Sequence, residues 1–245
     1  MKTTGNTVLI TGGSAGIGLE IARQLSQQGN QVIITGRDAA RLEKATQQLP
    51  GVKGIVSDVT SDKAVAQLVA TLQEEYPSLN ILINNAGRAF AYELSENANA
   101  AGKAVEEMDT NFFAVIRLTE KLLPLLTKQP EAAIVNVTSI VAFAPGARIA
   151  TYSATKAALR SYTHSMRVTF PKLHIFELMP PLVNTDLSQD IGGSKGIPPS
   201  QVATDLLTAL GKNDYEIRVG DTEQIYQLSL TNPAAALAAM NSNGE

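Results

Sequence analysis

Short runs rich in Val, Ile and Leu alternate along the chain with longer stretches in which apolar residues recur every three or four positions. The runs at 7–10, 31–35, 52–56, 81–83, 133–137 and 174–178 predict strands buried on both faces, and 216–219 predicts a seventh. Between them the helical spacing predicts helices at 18–28, 39–48, 62–75, 103–126, 153–169 and 201–210. In the third of these, Val65, Leu68, Val69 and Leu72 mark the buried face. Ser61 is placed to cap that helix, and Gly29 to end the first one. Strand and helix in repeated alternation imply right-handed crossovers and a mostly parallel sheet with helices on both faces, an α/β doubly wound fold.

Composition narrows the classes of protein. A chain of 245 residues, 44% hydrophobic and 18% charged, supports one sizeable core and argues against disorder. No linker or composition shift divides it, so residues 1–245 read as a single domain, with a substrate loop at 182–200 and a C-terminal tail at 233–245. The tail opens on an Ala-rich run that suits a short helix, and it carries no assigned chemistry. A net charge of −3 without a basic stripe gives no support to nucleic-acid binding. The absence of cysteine excludes disulfides, thiolate chemistry and a Cys-based zinc site, and no cluster of other metal ligands appears. Residues 1–6 lack the apolar stretch of a secretory signal, and no uncharged run reaches the roughly 18 residues of a membrane helix. A soluble, cytoplasmic protein without a membrane partner is expected.

The first strand ends in Thr11-Gly12-Gly13-Ser14-Ala15-Gly16-Ile17-Gly18 and opens a helix. Residues without a Cβ allow the tight turn and the close approach of a ligand. The unpaired N–H groups of the helix start then favour a pyrophosphate. The pattern is G-x-x-x-G-x-G and not G-x-G-x-x-G, and a tight turn without a ligand satisfies it equally. Its place after the first strand of a βαβ series favours a dinucleotide, hence a Rossmann fold. In an NAD site an acidic residue ends the second strand and binds the ribose hydroxyls. Here Gly36-Arg37 stands there, which suits a 2′-phosphate held by a guanidinium, with Ser14 adding a hydrogen bond. A solvated surface Arg37 is the other reading, and Asp38 complicates the assignment. NADP(H) is expected over NAD(H).

Tyr152 and Lys156 stand four apart on a predicted helix and so share a face. An ammonium near a phenol favours its phenolate and draws its pKa down from about 10. With Thr11-Gly-x-x-x-Gly16-x-Gly18, Asn84-Asn85-Ala86-Gly87, Asn111, Ser139 and Tyr152-x-x-x-Lys156 in this order, the chain from about residue 7 to 185 resembles the short-chain dehydrogenase/reductase family. The resemblance implies that Ser139 binds the substrate oxygen, Tyr152 transfers the proton, and Lys156 holds the nicotinamide ribose and lowers the pKa of Tyr152. It implies that Asn111 holds a water linking Lys156 to solvent. Gly12, Ser14, Gly16, Ile17, Gly18 and Arg37 would form the cofactor site. Asp58 and Val59 would contact the adenine, Asn84, Ala86 and Gly87 would support the central strand and the adenine-side ribose, and Val183 and Thr185 would meet the nicotinamide carboxamide. One departure is Pro180-Pro181 where the family commonly has Pro-Gly, which stiffens the turn. That turn and the short final region are similar to a bacterial subgroup labelled DltE-like.

These readings imply hydride transfer between NADP(H) and a small alcohol or carbonyl compound, in a homodimer or homotetramer formed through the helices at 103–126 and 153–169. The alternative is a catalytically idle NADP(H)-binding regulator or redox sensor on the same fold. Epimerase or dehydratase chemistry on a nucleotide sugar goes with a longer substrate domain. The loops at 88–99, 140–151 and 182–199 would choose the substrate, with Phe90, Phe143, Leu182 and Leu187 giving an apolar pocket and Arg88 or Arg148 gripping an anion. The loop at 182–199 is a candidate lid. His164 and His174 read as structural or surface groups.

Overall fold

A computed structural model describes residues 1–242. Seven strands form one parallel sheet: β1 (Thr7–Thr11), β2 (Gln31–Gly36), β3 (Lys53–Val56), β4 (Leu79–Asn84), β5 (Ala133–Val137), β6 (His174–Met179) and β7 (Glu216–Arg218). Their order is β3-β2-β1-β4-β5-β6-β7. The chain winds outward from β1 in one direction as far as β3, then crosses to β4 on the other side of β1. This reversal opens a crevice at the carboxyl ends of β1 and β4, where ligands bind in open α/β sheets.

Successive strand residues face opposite sides of the sheet, and both sides are covered. Val8, Ile10, Ile81 and Ile83 face Ile21 and Leu25 of α1 (Gly16–Gln27) and Val202 and Leu206 of α7 (Pro199–Lys212). Leu9, Ile33, Leu82 and Ile134 face α3 (Asp62–Glu75), α5 (Ala114–Leu126) and Met166 of α6 (Ala150–Thr169). Burial on both faces explains why these strands read as continuous apolar runs rather than alternations. The edge strand β3 is mostly exposed. Ser61 caps α3 as its position suggests, accepting the N–H of Ala64 at 3.3 Å. Gly29, at φ +80°, follows the last turn of α1.

The helix expected at 103–126 is interrupted. It consists of α4 (Ala100–Met108) and α5 joined through one π turn, Asp109–Phe113. Two further helices, α8 (Thr222–Thr231) and α9 (Pro233–Asn241), follow β7, and α2 (Ala39–Gln47) lies between β2 and β3. None of the helices among the described residues is long and apolar enough to cross a membrane.

Candidate active site

The crevice, about 1150 Å³ in volume, runs from the turn after β1 past the ends of β4, β5 and β6 to α9. At its start Gly12 takes φ +66°, and a Cβ there would sit 2.9 Å from the Cα of Ala86. Only glycine therefore lets this turn lie against the β4 loop. The loop is sewn to it from the other side. The Oγ1 of Thr11 accepts the N–H groups of Asn85 and Ala86 at 3.0 and 3.1 Å, and the Asn85 amide donates to the carbonyls of Thr11 and Gly12 at 3.0 Å each. The first turn of α1 has neither a side-chain cap nor an acidic residue. Its N–H groups are left to an anion, and Ser14, Gly16 and Ile17 line the crevice beside them. This bare helix start and its glycine cradle fit the pyrophosphate of a nicotinamide dinucleotide.

Gly18 does not line the crevice. A Cβ on it would lie 2.5 Å from both the Asn85 Nδ2 and the Gly12 carbonyl, so its part is to let α1 pack onto the turn. Asn84 also stays out of the lining, because β5 takes its side chain. Its amide donates to Asn136 Oδ1 at 2.9 Å, and Asn136 donates to Thr163 Oγ1 of α6 at 2.9 Å. Ala86 and Gly87 do line the crevice.

At the far side of β2, Arg37, Asp38, Asp58 and Val59 border the crevice, together with Ser14 and Arg41. Asp38 is engaged locally: its Oδ1 accepts the N–H of Arg41 at 2.9 Å and caps α2. Burial works to raise the pKa of Asp58. The N–H and hydroxyl of Thr60 and the Arg37 guanidinium outweigh it and hold the carboxyl below the usual carboxylate range. Sequence reasoning passed over Arg41, a second guanidinium here that pairs with Asp186 across the crevice.

Helix α6 carries Tyr152 and Lys156 to the middle of the crevice, opposite Ser139 at the end of β5. Lys156 is only 3% exposed, and its Nζ donates to the Val137 carbonyl at 2.8 Å. Burial lowers its pKa to about 8. The same ammonium lies 5.5 Å from the centroid of the Tyr152 ring. Burial pushes the Tyr152 phenol above the usual tyrosine range, and the Glu107 carboxylate adds to this, while the Ser139 hydroxyl beside it works the other way. The phenol is thus raised, not lowered as the Tyr–Lys spacing suggests. Ser139 is buried, and its Oγ accepts the N–H of Val141 at 3.4 Å. The Pro180 carbonyl accepts the N–H of Ile140 at 3.0 Å, tying the Pro180-Pro181 turn to the Ser139 segment.

Asn111 is fully buried in the π turn and does not line the crevice. Its Oδ1 accepts the N–H of Arg88, and its Nδ2 donates to the Arg88 carbonyl, both at 2.8 Å, and to Thr155 Oγ1 at 2.9 Å. It joins the β4 loop to α6 behind the phenol. One turn earlier Glu107, also fully buried, accepts the N–H of Phe90 at 2.7 Å through Oε1, and its Oε2 has no partner. Nothing in the sequence singles it out, because a lone carboxylate on a helix does not announce burial.

At the substrate end Leu182 and Leu187 line the crevice as expected, with Val183 and Thr185. Phe90 and Phe143 do not line it. Arg88 covers the ring of Phe90 at 4.8 Å, and Phe143 packs on Tyr226 at 4.9 Å beneath Arg160. Arg88 and Arg148 both line the crevice; Arg88 is also paired with Glu106 at 2.6 Å, whereas Arg148 has no ion pair among the described residues. His164 binds the buried Glu177 at 3.1 Å and His174 the Tyr215 hydroxyl at 2.8 Å, both away from the crevice.

The fold and this order of motifs define a short chain dehydrogenase. The model of that family matches residues 6–195, and the chain belongs to it. The chain is 44% identical over 201 residues to the uncharacterized oxidoreductase DltE of Bacillus subtilis (strain 168), covering 80% of this chain and 79% of that relative. The fold matches a short chain dehydrogenase from Burkholderia cenocepacia J2315 in complex with NADP, at TM-score 0.87 and 24% identity over 98% of this chain and 99% of the other. It also matches a short chain dehydrogenase/reductase from Burkholderia phymatum in complex with NAD, at TM-score 0.86 and 18% identity over 100% and 98%.

Proposed function

We propose that the chain is an NADP(H)-dependent oxidoreductase acting on a small alcohol or carbonyl compound, with Tyr152 as general acid and base. The observation that carries this reading is the meeting of the Tyr152 phenol, the Ser139 hydroxyl and the Lys156 ammonium on a crevice that begins at an anion-binding helix start. When bound there, the nicotinamide supplies the hydride. Ser139 holds the carbonyl oxygen. The Tyr152 O–H bond breaks as an O–H bond forms on that oxygen, and the buried ammonium of Lys156 offsets the phenolate left behind. The raised pKa of the phenol keeps it protonated at neutral pH, as a proton donor must be. Asn111 holds the β4 loop against α6 and so fixes the site's wall.

Arg37 favours NADP(H) over NAD(H), because it borders the crevice beside Ser14 while Asp38 is committed to capping α2. A fork of guanidinium donors suits a 2′-phosphate. Exposed Val105, Phe113 and Val168, on α4, the π turn and α6, favour a homodimer or homotetramer formed on those helices. The chain acts as one domain in the cytoplasm, with residues 182–200 as its substrate loop. Following NADPH absorbance across a panel of ketones, aldehydes and quinones tests the reading. Turnover of at least one class is expected. NADPH binding without turnover of any would point to a cofactor-bound regulator.

A further inference from the structure

The C-terminal helix α9 lies beyond the segment that the family model matches, yet it reaches the substrate end of the crevice. It packs back on α8. Ala236 is its one buried side chain, and Leu237 is 47% exposed. Its last turn is anchored. The Asn241 Oδ1 accepts the N–H of Ala147 at 2.6 Å, and its Nδ2 donates to the Pro145 carbonyl at 2.9 Å. Pro145 and Ala147 belong to the segment that runs from Ser139 to Tyr152. The anchor keeps Met240 on the apolar cluster of Ile140, Val141 and Ile149, on which Tyr152 and Ile191 also pack, and Met240 lines the crevice. This surface offers a substrate apolar contact next to the proton-transfer group.

We propose that α9 is the selecting wall of the crevice: Met240 sets the bulk of an apolar group flanking the substrate carbonyl, and the Asn241 clasp holds Met240 in place. The proposal rests on the oxidoreductase reading and names its substrate class, carbonyl compounds with an apolar body. Methionine is unbranched and fills space adaptably, so its truncation opens room without unsettling the sheet.

The test measures kcat/KM for methyl ketones of increasing alkyl length in the wild type, Met240→Ala and Met240→Phe. The alanine variant should shift the long-to-short ratio upward by about tenfold or more, and the phenylalanine variant should shift it down. Hydrogen exchange supplies a readout independent of activity: in Asn241→Ala the Ala147 amide should exchange faster than in the wild type. Ratios unchanged in both Met240 variants would overturn selection by Met240. Unaltered exchange at Ala147 would overturn the clasp. A wild type that turns over no carbonyl compound would instead refute the oxidoreductase reading, and this proposal with it.

Discussion

Lys156 commits its ammonium to the Val137 carbonyl at 2.8 Å and stands 5.5 Å from the ring centroid of Tyr152, four residues before it on α6. The two groups are neighbours in a site that disfavours charge on either. Burial lowers the ammonium's pKa and raises the phenol's. The site thus holds its proton on the phenol, and acts as an acid before it acts as a base.

Stability should carry the signature of Lys156. Its pKa falls from 10.5 to about 8 on folding. Between these values the unfolded chain holds the proton and the folded chain does not, so this contribution to stability rises with pH. Below about 8 both states are charged and the penalty of burying the ammonium is present in full. Above about 10 the raised pKa of Tyr152 acts oppositely, because the unfolded phenol ionises first. Urea unfolding from about pH 8 to about pH 10 should show a gain on the order of 2 kcal/mol that Lys156→Met lacks. Equal pH slopes in the two proteins would contradict burial of the charge.

Glu107 should tune the phenol. Its carboxylate raises the pKa of Tyr152, and its Oε1 holds the N–H of Phe90 at 2.7 Å. Glu107→Gln keeps an acceptor for that N–H and removes the charge. The pH profile of alcohol oxidation, which needs the phenolate, should move to lower pH in this variant. Glu107→Ala should in addition lose about 1–3 kcal/mol of stability, since the buried N–H is left unpaired. A pH profile that stays in place in Glu107→Gln would remove the carboxylate from any influence on Tyr152.

Arg37 should set the cofactor preference. Arg37→Leu should raise the KM for NADPH by about tenfold to a hundredfold, the worth of a charge-assisted hydrogen bond, and leave the KM for NADH nearly unchanged. Equal effects on both, or a wild-type preference for NADH, would contradict the assignment.

Much of this arrangement is legible in the chain because burial on both faces writes itself into composition. The runs at 7–10 and 133–137 read as interior strands, and β1 and β5 follow them closely. The glycine turn is equally legible, since a missing Cβ is a property of the residue itself. Helix α8 was missed because only Thr222 is buried on it, so no apolar stripe marks a face. The π turn was missed because one extra residue per turn leaves no compositional trace. Asn84 and Gly18 stand in the motifs of the cofactor site yet outside the crevice lining, because motif spacing does not separate a residue that lines a ligand site from one that props up its neighbours. Glu107, Arg41 and Met240 reach the site only through tertiary packing, from helices whose local sequence gives no reason to look at them.

The central claim, that Tyr152 transfers the proton, is tested most directly by Tyr152→Phe, assayed with a carbonyl compound that the wild type reduces and with a parallel titration of NADPH binding. The account predicts a kcat lowered by about 10²–10⁴-fold with the Kd for NADPH unchanged. A kcat near that of the wild type would contradict it.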